Sequence, residues 1–163
     1  MVDSSRFSEA LSFGKRAEDV IIDALSTRGF CKRQDDRARY DFQFIYNNQT
    51  HRVEVKNEDR YADSGNICIE VQQGFPPRAK PSGVAFSEAT LFIHTLCESC
   101  VVYRRRDMVV YLREQESIGK LRRRSFGDNN NKGFIVPTKR LYSLPWFDYL
   151  PTNKIAESRV WNE

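Results

Sequence analysis

An α/β fold is predicted by three features of the sequence. One long stretch carries apolar residues every three or four positions, a pair of runs alternates apolar with polar about a turn, and a further alternating run follows a polar loop. With 163 residues, 40% of them apolar, the chain is long enough to bury a core, and one domain over residues 1–163 is expected.

The first stretch, "SSRFSEALSFGKRAEDVIIDALSTRGF", spaces Phe7, Ala10, Leu11, Ala17, Val20, Ile21, Ala24 and Leu25 as one face of an amphipathic helix, expected from about residue 5 to about residue 27. Gly14 is a point where it could loosen, and Gly29 is placed to end it. "YDFQFIY" and "HRVEVKN" then flank "NNQT", which predicts a β-hairpin with a four-residue loop. "NICIEVQQ" is a third strand on the same sheet, after the polar loop "EDRYADSG". Only a short helix fits before "ATLFIHTL", so "RDMVVYLREQ" is the expected second helix. "RRRSFGDNNNKGFIV" reads as a basic hairpin or loop with its tip at Gly127 to Asn131. From about residue 143, "SLPWFDYLPTNK" predicts a tail that lies extended over the core and leaves a loose end.

Composition excludes several classes. No run approaches the roughly eighteen apolar residues of a membrane-spanning helix, and the N-terminal segment lacks the apolar stretch of a secretory signal, so a soluble cytoplasmic protein is expected. Four scattered cysteines do not make the disulfide framework of a small secreted domain. "CESC" at 97–100 resembles half a zinc site, but no second half accompanies it. His94, inside "ATLFIHTL", reads as a packed histidine. The net charge of +4 conceals two arginine triplets, Arg104 to Arg106 and Arg122 to Arg124, each suited to a phosphate backbone or simply to solvent.

Residues two apart on a strand share a face. Tyr40, Phe42, Phe44 and Tyr46, with Val53 and Val55 and with Ile67, Ile69 and Val71, therefore form the expected core face. The opposite face gathers Asp41, Gln43, Arg52, Glu54, Lys56, Cys68, Glu70 and Gln72. In the obvious register Asp41 and Glu54 become cross-strand neighbours with Lys56 beside them. Two carboxylates that close repel unless something positive lies between them, and magnesium favours one or two carboxylates supplemented by waters and phosphate oxygens. The plainer alternative is an exposed Glu54–Lys56 ion pair worth about 0–1 kcal/mol.

Asp41, twelve intervening residues and Glu54-Val55-Lys56 across a hairpin resemble the D…ExK signature of the PD-(D/E)XK nuclease superfamily. Glu18 stands where that superfamily often carries a helix glutamate. "SGNICIEV", "KPSGVAFSEATLFIH" and "GFIVPTKRL" are similar to small phage-encoded and Holliday-junction-resolvase-like members, although no proline precedes Asp41. The resemblance implies a restriction-endonuclease-like three-layer fold, a mixed central sheet flanked by helices with an αβββαβ core. It implies a metal-dependent DNA endonuclease acting on branched, phage or host DNA in a bacterial or phage-infected cell, and it is compatible with a homodimer. Asp41, Glu54, the Val55 carbonyl and Glu18 would be ligands of Mg2+ or Mn2+, and Lys56 would position or activate the attacking water. Gln72, Arg122, Arg123, Arg124 and Lys132 would contact nucleic acid. Two rivals stand beside this: a weakly active or inactive nuclease-fold module that binds nucleic acid or protein, and a nuclease directed at RNA.

Overall fold

The computed structural model describes residues 4–35, 37–58, 64–126 and 130–162. The first helix, α1, runs over Ser4–Leu25 without a break at Gly14. It ends a turn before Gly29, where an added Cβ would meet the Ile45 carbonyl oxygen at 2.5 Å. The chain needs glycine there because β1, Phe30–Arg33, crosses so close to the neighbouring strand.

β2, Phe42–Tyr46, and β3, Gln49–Asn57, form the expected hairpin. Its loop is shorter than expected. Only Asn47 and Asn48 turn the chain, with φ of 49° and 61°, while Gln49 and Thr50 already belong to β3. Two consecutive positive-φ residues match the right-handed twist of the flanking strands, and asparagine tolerates that conformation.

β4, Asn66–Gln73, departs from expectation more sharply. It does not join the hairpin. Instead β3 pairs in parallel with β6, Leu91–Leu96, and β6 pairs with β7, Ser99–Arg104, which carries β10, Phe147–Pro151. The six-stranded mixed sheet has the order β1-β2-β3-β6-β7-β10. β4 builds a second sheet, of order β5-β4-β9-β8, with β5 at Lys80–Pro81, β8 at Arg124–Phe126 and β9 at Asn131–Pro137. A 3₁₀ turn, Gly83–Ala85, occupies the short helical space before β6, and the second long helix, α2, is Arg105–Ser117.

The core splits accordingly. On one face of the large sheet Phe42, Phe44, Val53 and Val55 pack with Ile21 and Leu25 of α1 and with Ile155, Val160 and Trp161. On the other face Phe92, Val101 and Tyr103 pack with Ile67 and Ile69 of β4 and with Met108 and Leu112 of α2. Full burial of one such side chain stabilises by about 1.5–3 kcal/mol. The expected common face of three strands is thus divided between two clusters, because apolar alternation fixes a strand's inward face but not its sheet. The chain end is not loose: Trp161 is 1% exposed and its indole N–H donates to the Ile155 carbonyl at 2.7 Å. No helix of the described residues is long and apolar enough to cross a membrane.

Candidate active site

The hairpin register sets the geometry. Phe42 faces Val53, and the Asp41 N–H donates to the Val53 carbonyl at 2.9 Å, so Asp41 stands opposite Glu54 just before β2 begins. The Asp41 carboxylate accepts the Val55 N–H at 2.6 Å. Lys56 Nζ donates to Glu54 Oε1 at 2.6 Å. Glu54 is largely buried at 15% side-chain exposure, whereas Lys56 keeps 44% and opens the group to solvent.

Ser87, which carries no signal of its own along the chain, completes this arrangement. Its hydroxyl donates to the Arg39 carbonyl at 2.7 Å and lies 3.4 Å from Glu54 Oε2. Asp41, Glu54 and Ser87 line one cleft of about 380 Å³ together with Arg37, Arg39 and Phe86. Lys56 and Glu70 line an adjoining cavity of about 180 Å³, and Gly83 borders both. Gly83 adopts a φ of +50°, and a Cβ there would meet the Glu70 carbonyl oxygen at 2.3 Å. Only glycine lets this turn come so near β4.

Burial raises the Asp41 pKa to about 6, with the Glu54 charge adding to it and the Val55 hydrogen bond opposing it. Burial works against the Lys56 ammonium, but the charge and hydrogen bond of Glu54, with Asp41 and Glu70 behind it, leave its pKa raised. The pair is therefore an acid that resists ionising beside a lysine that stays protonated. Such crowding of like charges is what a divalent cation relieves.

The remaining expected residues fall into three places. Glu18 lies near the site, close enough to raise Asp41, but its carboxylate is engaged by Arg33 at 3.1 Å. Burial raises the Glu18 pKa, with the Arg33 charge opposing it. Gln72 leaves Glu70 because a β-bulge interrupts β4 between them, and it lines a separate cavity of about 450 Å³ with Arg123. Arg123 is bound to Glu116 at 2.9 Å, while Arg122 and Arg124 are exposed and Lys132 half-buried on the β8–β9 hairpin. Of the expected tip of that hairpin, residues 127–129 lie outside the described residues.

Among the described residues no group of three His, Cys, Asp or Glu side chains is placed to hold a metal ion. The donors that fit a hard cation are the Asp41–Glu54 pair. "CESC" covers the β6–β7 turn and the start of β7, with Cys97 exposed in the turn at a φ of 60° and Cys100 buried in β7, its thiol pushed up to about 12 by burial. His94 is packed, as expected, but within an unforeseen chain. Its Nδ1 lies 3.2 Å from Glu58 Oε2 and its Nε2 lies 2.9 Å from Tyr103 Oη.

No protein-family model matches the chain, and no curated protein matches it. A solved structure described as "The structure of a bacterial homing endonuclease: I-Ssp6803I" is similar over 81% of each chain, with 16% sequence identity and a TM-score of 0.49.

Proposed function

We propose that this protein is a metal-dependent DNA endonuclease of the PD-(D/E)XK type, hydrolysing phosphodiester bonds at Asp41, Glu54 and Lys56. The observation that carries the reading is the meeting of Asp41 and Glu54 across the hairpin with Lys56 on the same face, in an open cleft edged by Arg37 and Arg39. Asp41 and Glu54 would hold Mg2+ or Mn2+, with the Val55 carbonyl and Glu18 as further expected oxygen donors. A bound ion would polarise the scissile phosphate and lower the pKa of a bound water.

The chain's own groups have separable tasks. Val55, through its N–H, fixes the Asp41 carboxylate, and Ser87 sits against Glu54, so both oxygens are oriented before any ligand arrives. Lys56, with its raised pKa, is a poor proton acceptor at neutral pH. Its role is to donate hydrogen bonds to a phosphate oxygen or to an attacking water and to stabilise developing negative charge. This narrows the sequence expectation, which allowed Lys56 to activate the water. Arg37 and Arg39 would draw the phosphate backbone into the cleft.

A second reading draws on one distance. The 2.6 Å Lys56–Glu54 contact is also what a closed ion pair in an inactive, DNA-binding module would show. Cleavage of linear duplex, single-stranded and four-way-junction DNA with Mg2+, Mn2+ or EDTA separates the two. Metal-dependent products that disappear in Lys56→Ala support the nuclease. DNA binding without products on any substrate supports the module.

A further inference from the structure

Phe86 and Arg39 stand at the mouth of the carboxylate cleft. Phe86 remains 47% exposed, and the Arg39 guanidinium, which lies 3.7 Å from the Glu88 carboxylate, has its central carbon 4.1 Å from the ring centroid. The pair is not an isolated surface contact. Ser87, next in the chain to Phe86, bonds the Arg39 carbonyl and approaches Glu54, and Arg39 is two residues from Asp41. The platform is thereby tied by backbone and hydroxyl to both carboxylates.

The cleft, at about 380 Å³, falls within the size range of sites that enclose a small ligand, about 300–1,000 Å³. On the other side of Phe86 and Ser87 a groove of about 850 Å³ carries Arg52, Arg104, Arg105 and Arg106. Arg104 is paired with Asp107 and Arg105 donates to the Val84 carbonyl, whereas Arg52 and Arg106 are exposed along the groove. The two hollows share Phe86 and Ser87, so a strand leaving the carboxylates passes the ring and enters a groove where these four arginines outnumber two acids, Glu88 and Asp107.

An aromatic ring backed by a guanidinium and flanked by arginines is the chemistry that holds a single nucleic-acid strand, because every base has a face to stack and every linkage a charge to neutralise. An intact duplex offers no such face. We propose that Phe86 and Arg39 form a stacking platform for an unpaired base beside the scissile phosphate, so that the substrate is DNA that is single-stranded or splayed open where it is cut. This inference rests on the nuclease reading of Asp41, Glu54 and Lys56.

The test uses the full chain and DNA oligonucleotides carrying 2-aminopurine, as a single strand and within a duplex, titrated in EDTA and then cut with Mn2+. The expected result is fluorescence quenching on the single strand and not on the duplex. Phe86→Ala should weaken single-strand binding by about 5- to 150-fold, the range of one lost base stack, with Phe86→Trp restoring it. Duplex binding by Phe86→Ala equal to wild type strengthens the proposal. Wild-type preference for intact duplex, or Phe86→Ala indistinguishable from wild type on every DNA form, overturns it. Failure of the nuclease reading looks different: quenching and its loss in Phe86→Ala persist, yet no metal produces cleavage, and the platform stands as a binding site alone.

Discussion

Glu54 on β3 and Glu58, one residue past its end, stand four residues apart, each beside a basic partner, and their surroundings assign them opposite work. Glu54 meets Lys56, whose side chain is 44% exposed, and shares its space with Asp41. Glu58 meets His94, whose side chain is 2% exposed, and also accepts the Cys68 N–H at 3.0 Å. Burial would raise the Glu58 pKa, but the His94 bond and charge and the Cys68 N–H outweigh it and hold the carboxyl below its ordinary value. Against an ionised Glu58 the His94 ring donates from Nδ1, and its Nε2 meets the Tyr103 hydroxyl, so both ring nitrogens are engaged inside the protein, although Glu58 and His94 also border the cavity of about 180 Å³ that Lys56 lines. The Glu54 group leaves Asp41 strained against a second carboxylate and opens on a cleft. An acid beside a base becomes a fold element when the base's hydrogen bonds are met internally, and a reactive group when one is left for a ligand.

The largest expected effect breaks the open group. Glu54→Gln and Lys56→Ala should each lower metal-dependent cleavage by about a thousandfold or more, the scale of losing an electrostatic stabiliser, while far-ultraviolet circular dichroism and thermal unfolding stay close to wild type. Unchanged cleavage in both would remove the site from this hairpin.

The next effect breaks the internally bonded group. Glu58→Ala strands the Cys68 N–H and one nitrogen of His94 inside the protein, and should cost about 2–3 kcal/mol in denaturant unfolding. Cleavage per folded molecule should stay within about threefold, measured below the denaturation midpoint. A variant that is stable but inactive would move Glu58 into the chemistry.

A smaller effect sharpens the contrast through pH. The folded state raises the Asp41 pKa to about 6 from 3.8, so between these values the folded protein binds more protons than the unfolded chain. Stability therefore falls as pH rises from about 4 to about 6, by up to about 2–3 kcal/mol before partial solvent screening is allowed for. Asp41→Asn should remove this contribution, leaving those of Glu18 and Glu58, and raise the unfolding midpoint at pH 8. The same titration predicts that Mn2+ binds more tightly as pH rises through about 6, since the ligand must be deprotonated.

The smallest effect concerns the β8–β9 arginines. Arg123→Ala should change stability by less than about 1 kcal/mol, because its Glu116 partner is a surface one. A DNA contact at Arg124 would appear only as a fall of about one in the salt dependence of binding when it is replaced by alanine.

Much of this comparison was legible along the chain, and its limits are physical. The α1 periodicity, the β2–β3 alternation and the Asp41–Glu54 register are local, and the structure reproduces them with only a shorter turn. The departure of β4 was not legible, since its alternation would satisfy either sheet and the choice depends on β9, more than sixty residues later. Gln72 was misplaced for a related reason: a bulge after Glu70 breaks the two-residue period that placed them together. Ser87 and Glu58 gave no signal because their partners, Glu54 and His94, lie 33 and 36 residues away. The docking of the C-terminal segment was not legible, since Val160 and Trp161 pack against α1 and β2 residues more than a hundred positions earlier.

If Asp41 and Glu54, and not Glu58, hold the cation, the two glutamates separate in a single titration. Calorimetric titration of Mn2+ into wild type, Glu54→Gln and Glu58→Gln at pH 7.5 tests this directly, with each protein first shown to be folded. Wild type and Glu58→Gln should bind with similar affinity, and Glu54→Gln should lose more than about tenfold. Binding that survives in Glu54→Gln and vanishes in Glu58→Gln would contradict the Asp41–Glu54 assignment.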